Sequence, residues 1–122
     1  MYNRAANVYR RVAVNSAPST RILDELYRGL LEDCVQGAAC IQARDYAGKG
    51  KHIGRALAIL CELVAALDRK TAPELCANLD RLYGFVRERL LAASTKMEVG
   101  PIAEAEGVIR TLRDAFQQAA RA

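Results

Sequence analysis

The stretch NSAPSTRILDELYRGLL, residues 15–31, combines a helix start with one apolar face. Pro18 suits the first turn of a helix, because the backbone donor that proline lacks has no helical partner there in any case. Ser19 and Thr20 follow it, and a hydroxyl in this region can cap free backbone donors. Leucine and tyrosine then recur at three- and four-residue intervals, at Leu23, Leu26, Tyr27, Leu30 and Leu31. This spacing predicts an amphipathic helix.

Composition supports a single helical domain with a mixed surface charge. The chain has 122 residues, 52% of them hydrophobic, and only three prolines, which is typical of a folded domain. Lysine and arginine (18) exceed aspartate and glutamate (14), but the two signs are interspersed. A solvated surface is therefore favoured over a nucleic-acid interface, and we expect no nucleic-acid partner.

No segment reads as a signal peptide or a membrane span. The N-terminal residues lack the apolar stretch of a signal peptide. The longest apolar run, residues 56–67, is interrupted by Glu62 and is shorter than the roughly twenty residues that cross a bilayer. We therefore expect a cytosolic protein without membrane insertion.

Three further segments repeat the helical periodicity. We expect helices at about residues 19–46, 51–68, 73–94 and 101–120, with the glycine-rich GKGK at residues 48–51 as the first connection. Short connections between long helices favour antiparallel neighbours, so the predicted fold is all-α, an up-down four-helix bundle over residues 18–122. Residues 1–17 would form an N-terminal arm, either frayed or packed on the bundle.

The second predicted helix has more apolar surface than a core requires. Its predicted core-facing residues are Ile53, Ala56, Leu57, Leu60, Val64 and Leu67. Beside them lies an apolar shoulder, Ile59, Leu63 and Ala66, which either packs under the arm or binds a partner.

The third helix shows a similar asymmetry. Its predicted core-facing residues are Leu75, Leu79, Leu82, Val86 and Leu90. Asn78 and Phe85 fall to one side of this row, and Tyr83 falls near the other edge, where its hydroxyl could reach solvent or a partner.

Catalytic and metal-binding patterns are missing from the sequence. The four cysteines lack CxxC spacing, and His52 has no second ligand near it in sequence. No Ser-His or Cys-His pair of the kind that activates a catalytic nucleophile can be assembled from these residues beyond chance. We therefore expect no metal, no cofactor and no enzymatic activity, and reduced cysteines at core or shoulder positions.

Two sequence blocks resemble the flagellin export chaperones, the FliS family. The first comprises Tyr9, Val12, Val14, the NSAP of residues 15–18, and the LYRG of residues 26–29. The second comprises the LD of residues 67–68, the NLDRLYGFV of residues 78–86, and the RL of residues 89–90. These blocks cover nearly the whole chain in the family's order.

This resemblance implies a cytosolic chaperone that binds the disordered C-terminal segment of flagellin, prevents premature polymerisation and presents the subunit to the flagellar export machinery. An export-gate component would be a second partner, and we expect a monomer or weak dimer. The client-facing candidates are the shoulder and its neighbours, Ile59, Leu63, Ala66, Asn78 and Phe85. Tyr9 and Val12 would form a latch that the client displaces. The alternative is a general helical interaction module that binds another protein or self-associates.

Overall fold

The computed structural model describes residues 17–121, and these form four helices. They are α1 (Ala17–Gln42), α2 (Tyr46–Ala65), α3 (Pro73–Lys96) and α4 (Gly100–Arg121). Within this part of the chain there is no strand. The all-α class is confirmed. None of the helices between Ala17 and Arg121 is both long and apolar enough to cross a bilayer.

Each helix packs against its neighbours in chain order, and α4 returns to α1 to close the ring. Along α1, Gly29 lies against Ile59 and Gly37 against Ile53, so α1 and α2 run antiparallel. At the other side of α1, Asp24 accepts hydrogen bonds from Arg113 and Gln117 near the end of α4. The up-down four-helix bundle predicted from the sequence is therefore confirmed.

The two glycines of α1 allow α2 to approach closely. A Cβ placed on Gly29 would lie 3.3 Å from Cδ1 of Ile59, and one on Gly37 would lie 3.2 Å from Cγ1 of Ile53. Both distances are shorter than an ordinary contact between carbon atoms. Close approach of a neighbouring helix, the reason expected from the sequence, accounts for both glycines.

The first connection lies four to five residues earlier than predicted. Helix α1 ends at Gln42 rather than near residue 46, and the GKGK of residues 48–51 lies inside the first turns of α2. Arg44 has a left-handed backbone (φ 58°), and the Asp45 N–H donates to the Cys40 carbonyl (2.8 Å), which closes α1. Asp45 then caps α2, because its Oδ1 accepts from the Gly48 N–H at 2.9 Å. The capping carboxylate outweighs the helix-breaking tendency of two glycines.

The bundle core follows a three- and four-residue alternation on every helix. In α3 the buried side chains are Cys76, Leu79, Tyr83, Val86, Leu90 and Ala93. In α2 they are Ile53, Ala56, Leu60 and Leu63. This spacing is the one that packs helices at a shallow crossing angle.

Two predicted core faces are rotated from their observed positions. On α3, Tyr83 is buried, whereas Leu82 is 38% exposed. The sequence prediction was wrong for both residues. The Tyr83 hydroxyl hydrogen-bonds the Tyr27 hydroxyl at 2.6 Å across the core, and the Tyr27 ring packs on Phe116 with centroids 6.2 Å apart. Because adjacent helix residues lie about 100° apart, turning Tyr83 inward turns Leu82 outward.

The capping geometry at Gly48 yields a prediction. A Cβ there would overlap the Asp45 carboxylate and lie 2.7 Å from the Cys40 sulfur. Gly48→Ala should therefore lower the free energy of unfolding by about 1–3 kcal/mol. The control Gly54→Ala, whose Cβ would meet nothing within 4 Å, should raise it by about 0.5–1 kcal/mol. Urea denaturation of both variants measures this, and equal effects would contradict it.

A second prediction concerns the tyrosine pair. Tyr27→Phe removes one hydroxyl and leaves the Tyr83 hydroxyl buried without this partner, so we expect a loss of about 1–2 kcal/mol. Tyr83→Phe should act similarly, and the double variant should lose less than the two single losses combined. Chemical denaturation of the four proteins gives the coupling free energy. Additive losses would show that the hydroxyl contact contributes nothing.

Candidate protein-binding surfaces

An apolar groove runs between α3 and α4. Its volume is about 480 Å³, and we name it the α3–α4 groove. Its lining residues are Leu82, Phe85, Glu104, Gly107, Val108, Thr111 and Leu112. Phe85 is 41% exposed and Leu82 is 38% exposed, so the groove carries adjacent exposed apolar side chains rather than an isolated one.

The polar groups of the groove are engaged within the protein. Glu104 accepts from Arg89 Nη1 at 3.2 Å, and Arg89 also pairs with Glu88 on its own helix. The hydrogen bonds that the Arg89 guanidinium donates to the Glu88 and Glu104 carboxylates raise its pKa, so this cation stays charged. The Thr111 hydroxyl donates back to the Gly107 carbonyl at 3.0 Å. The groove therefore offers mainly hydrocarbon to a partner.

Asn78 extends the same side of α3. It precedes Leu82 and Phe85 by one and two helical turns, so the three share a face, and Asn78 is exposed. Its side-chain oxygen accepts from Arg81. The structure thus brings together two of the client-facing candidates, Asn78 and Phe85.

A second apolar surface lies on the α1–α2 side of the bundle, which we name the α1–α2 face. Ile59 is half-buried against Gly29, and Ala66 is exposed just beyond the end of α2. Ile22 of α1 is 57% exposed. In the antiparallel register, Gly37 lies opposite Ile53 and Gly29 lies opposite Ile59. Two turns further along, the same register places Ile22 opposite Ala66. Ile59 and Ala66 therefore belong to one surface, together with Ile22.

The two surfaces point in different directions. Ile59, on α2, faces α1, whereas Phe85, on α3, lies beside α4. The α1–α2 face and the α3–α4 groove therefore lie on opposite sides of the ring of helices. A compact partner could not contact both. The five candidates therefore do not form a single site.

Leu63 corrects the predicted shoulder. Its side chain is 1% exposed and belongs to the core cluster with Leu60 and Tyr83, so its placement on an exposed shoulder was wrong. Relative to the predicted face, the buried face of α2 is rotated about the helix axis toward Leu63 by about one third of the 100° between successive residues. The reason is that α1 and α3 both contact α2, and their combined direction decides which stripe is covered. The latch candidates Tyr9 and Val12 lie outside the described residues.

Sequence reasoning missed a buried polar contact between α1 and α2. Asp33 is 5% exposed, and its Oδ1 lies 3.1 Å from His52 Nδ1 and 3.9 Å from Arg55 Nε. The sequence did contain a signal for this contact. His52 and Arg55 are three residues apart, so on a helix both basic side chains face the same turn of α1. Removing these partners on α2 would leave the Asp33 carboxylate buried and uncompensated, which is costly.

The cysteine and metal chemistry of the described residues is limited. All four thiols are free, and burial raises the pKa of the Cys34 thiol to about 12, so it stays protonated and is a poor nucleophile. In the part of the chain that the structure describes, no group of three metal-ligating side chains comes together.

Burial separates the roles of two candidate residues. Leu63→Ala should lower the free energy of unfolding by about 2–5 kcal/mol, because it leaves a cavity in the core. Phe85→Ala, at an exposed site, should change it by less than about 1 kcal/mol. Thermal and urea denaturation test both. A stable Leu63→Ala variant would return Leu63 to the surface candidates.

Comparison with known proteins supports the resemblance seen in the sequence. The family model described as flagellar protein FliS matches residues 1–122. The flagellar secretion chaperone FliS of Bacillus subtilis (strain 168) is 32% identical over 111 residues, covering 91% of this chain and 82% of the relative.

The corresponding chaperone of Escherichia coli (strain K12) is 31% identical over 107 residues, covering 87% of this chain and 79% of the relative. The flagellar secretion chaperone FliS of Vibrio cholerae is 29% identical over 114 residues, covering 90% and 84% respectively. These similarities extend over most of both chains, so they concern the whole bundle rather than one motif.

Proposed function

The chain belongs to the FliS family of flagellar proteins, and we propose that it is a cytosolic export chaperone for flagellin. In this proposal it binds the disordered C-terminal segment of flagellin and prevents premature polymerisation. It then supports delivery of the subunit to the export apparatus, through an export-gate component, as a monomer or weak dimer. The observation that carries the proposal is the apolar α3–α4 groove with Phe85 exposed in it.

The groove suits the apolar side of an amphipathic helix. Its walls are α3 and α4, its floor is apolar, and its charged groups are paired at the rim. A helix placed there buries its own apolar stripe and keeps its polar side in water. A client that polymerises through amphipathic helices has the surface that this groove would cover.

The separation of the two surfaces fits an extended client better than a folded one. A segment that is disordered when free can follow the surface from the groove to the α1–α2 face, because its backbone adapts to the bundle. Ordering such a segment costs several kcal/mol, so a large contact area is needed for tight binding. Two surfaces on different sides of the bundle provide that area.

The N-terminal arm fits the role of a displaceable latch. Tyr9 lies eight residues and Val12 five residues before Ala17, the first residue of α1. In extended form these residues can lie at most about 27 Å and 17 Å from the start of that helix. That is enough to reach the α1–α2 face near Ile22, where they would compete with the client.

Copurification with the flagellin of the same organism tests the function. We expect full-length flagellin to bind and flagellin lacking its C-terminal segment not to bind. Equal binding of both forms would place the client segment elsewhere in flagellin. Binding to neither form would favour the general interaction module, for which a tight self-association measured by sedimentation would be the signature.

A matched pair of variants tests the groove. Phe85 and Leu91 both lie on α3 and are 41% and 40% exposed, but Leu91 does not line the groove. Phe85→Glu should weaken binding of the flagellin C-terminal segment at least about tenfold, because a carboxylate would lose its hydration against hydrocarbon. Leu91→Glu should leave the affinity within about twofold. Titration calorimetry gives both values, and equal losses would argue against the groove.

A further inference from the structure

The glycines of the helices fall into two groups. Gly29, Gly37 and Gly48 each have a neighbour that a Cβ would touch, so packing within the bundle explains them. Gly50, Gly54, Gly84 and Gly107 lie inside helices with no atom within 4 Å of a Cβ position. A glycine in a helix interior is less stable than alanine, and no close contact among the described residues explains these four.

Gly107 differs from the other three in its location, because Gly84 lines a more polar cleft with Arg87 and Glu88. Gly107 is part of the α3–α4 groove, one residue before Val108 and opposite the wall formed by Leu82 and Phe85. Its carbonyl is occupied by the Thr111 hydroxyl at 3.0 Å. At Gly107, therefore, α4 presents bare backbone with its acceptor satisfied.

From this placement we infer that Gly107 is a specificity-determining residue of the groove, the point at which a bound helix comes closest to α4. The occupant is an amphipathic helix that lies along the groove with a large apolar side chain over Gly107. The polar groups of the groove favour this chemistry. Its one ionised side chain, Glu104, is paired with Arg89, and the Thr111 hydroxyl donates to the Gly107 carbonyl. A charged stripe would find no counter-charge there.

Close approach depends on the missing side chain. Helices pack with axes 8–10 Å apart according to the side chains at the contact, and small residues give the shorter distances. Adding a Cβ at Gly107 leaves the free protein unstrained, because the space there is open. The same Cβ would occupy the volume that the bound helix needs. The substitution should therefore separate stability from binding, which a purely structural glycine would not do.

The experiment compares Gly107→Ala with the control Gly54→Ala, using the purified flagellin C-terminal segment as the probe; the inference thus rests on the proposed function. Both substitutions should raise Tm by about 2–5 °C, because each replaces an interior helical glycine. Gly107→Ala should weaken binding of the probe about tenfold, the effect of overfilling a packed contact. Gly54→Ala should keep wild-type affinity, and Gly107→Leu should lose more affinity than Gly107→Ala.

Phe85→Glu, measured in parallel, distinguishes the two ways of failing. If Phe85→Glu loses binding while Gly107→Ala and Gly107→Leu bind like the wild type, the inference about Gly107 is wrong and the groove remains the client site. If all three bind like the wild type, the groove is not the client site and the inference falls with it. If Gly54→Ala also loses binding, the loss comes from helix rigidity rather than from the groove, which again overturns the inference.

Discussion

The contact between the Tyr27 and Tyr83 hydroxyls favours the orientation of α3 on which the α3–α4 groove depends. Two buried hydroxyls meet at 2.6 Å across the ring of helices, and buried polar groups without partners are costly. The contact therefore fixes α1 relative to α3 both along and around the helix axis. With Tyr83 turned inward, Leu82 and Phe85 are turned toward the cleft beside α4. This hydrogen bond, together with the packing of the four helices, thus favours the side of α3 that the surface displays.

The α1–α2 pair provides the rigid side of the bundle. Gly29 and Gly37 of α1 let α2 approach closely. The buried carboxylate of Asp33, also on α1, lies close to His52 and Arg55 of α2. Steric fit and polar pairing act at adjacent turns of the same interface. The α3–α4 pair is more open along its outer side, where the groove lies. A bundle with one tight and one open pair holds its shape while leaving hydrocarbon available to a partner.

Helix periodicity was enough to predict the number, order and approximate extent of the described helices, because each helix buries an apolar stripe. It failed at the first connection, where the Asp45 side chain caps α2 ahead of two glycines. It also misassigned Leu63, Leu82 and Tyr83. A periodicity calculation averages the apolar residues of one helix, so it finds a wide stripe but cannot choose its centre. The positions of the two neighbouring helices make that choice.

The sequence by itself determined the all-α class, the antiparallel bundle and, through its two blocks of motif residues, the family. These properties follow from local spacing and short connections, which act within one or two helices. Only the tertiary structure decided that Leu63 is core, that Phe85 lines a groove with α4, and that Ile59 and Ala66 lie on another side. Those facts depend on the rotation of each helix about its axis, which packing of four helices around one core sets jointly.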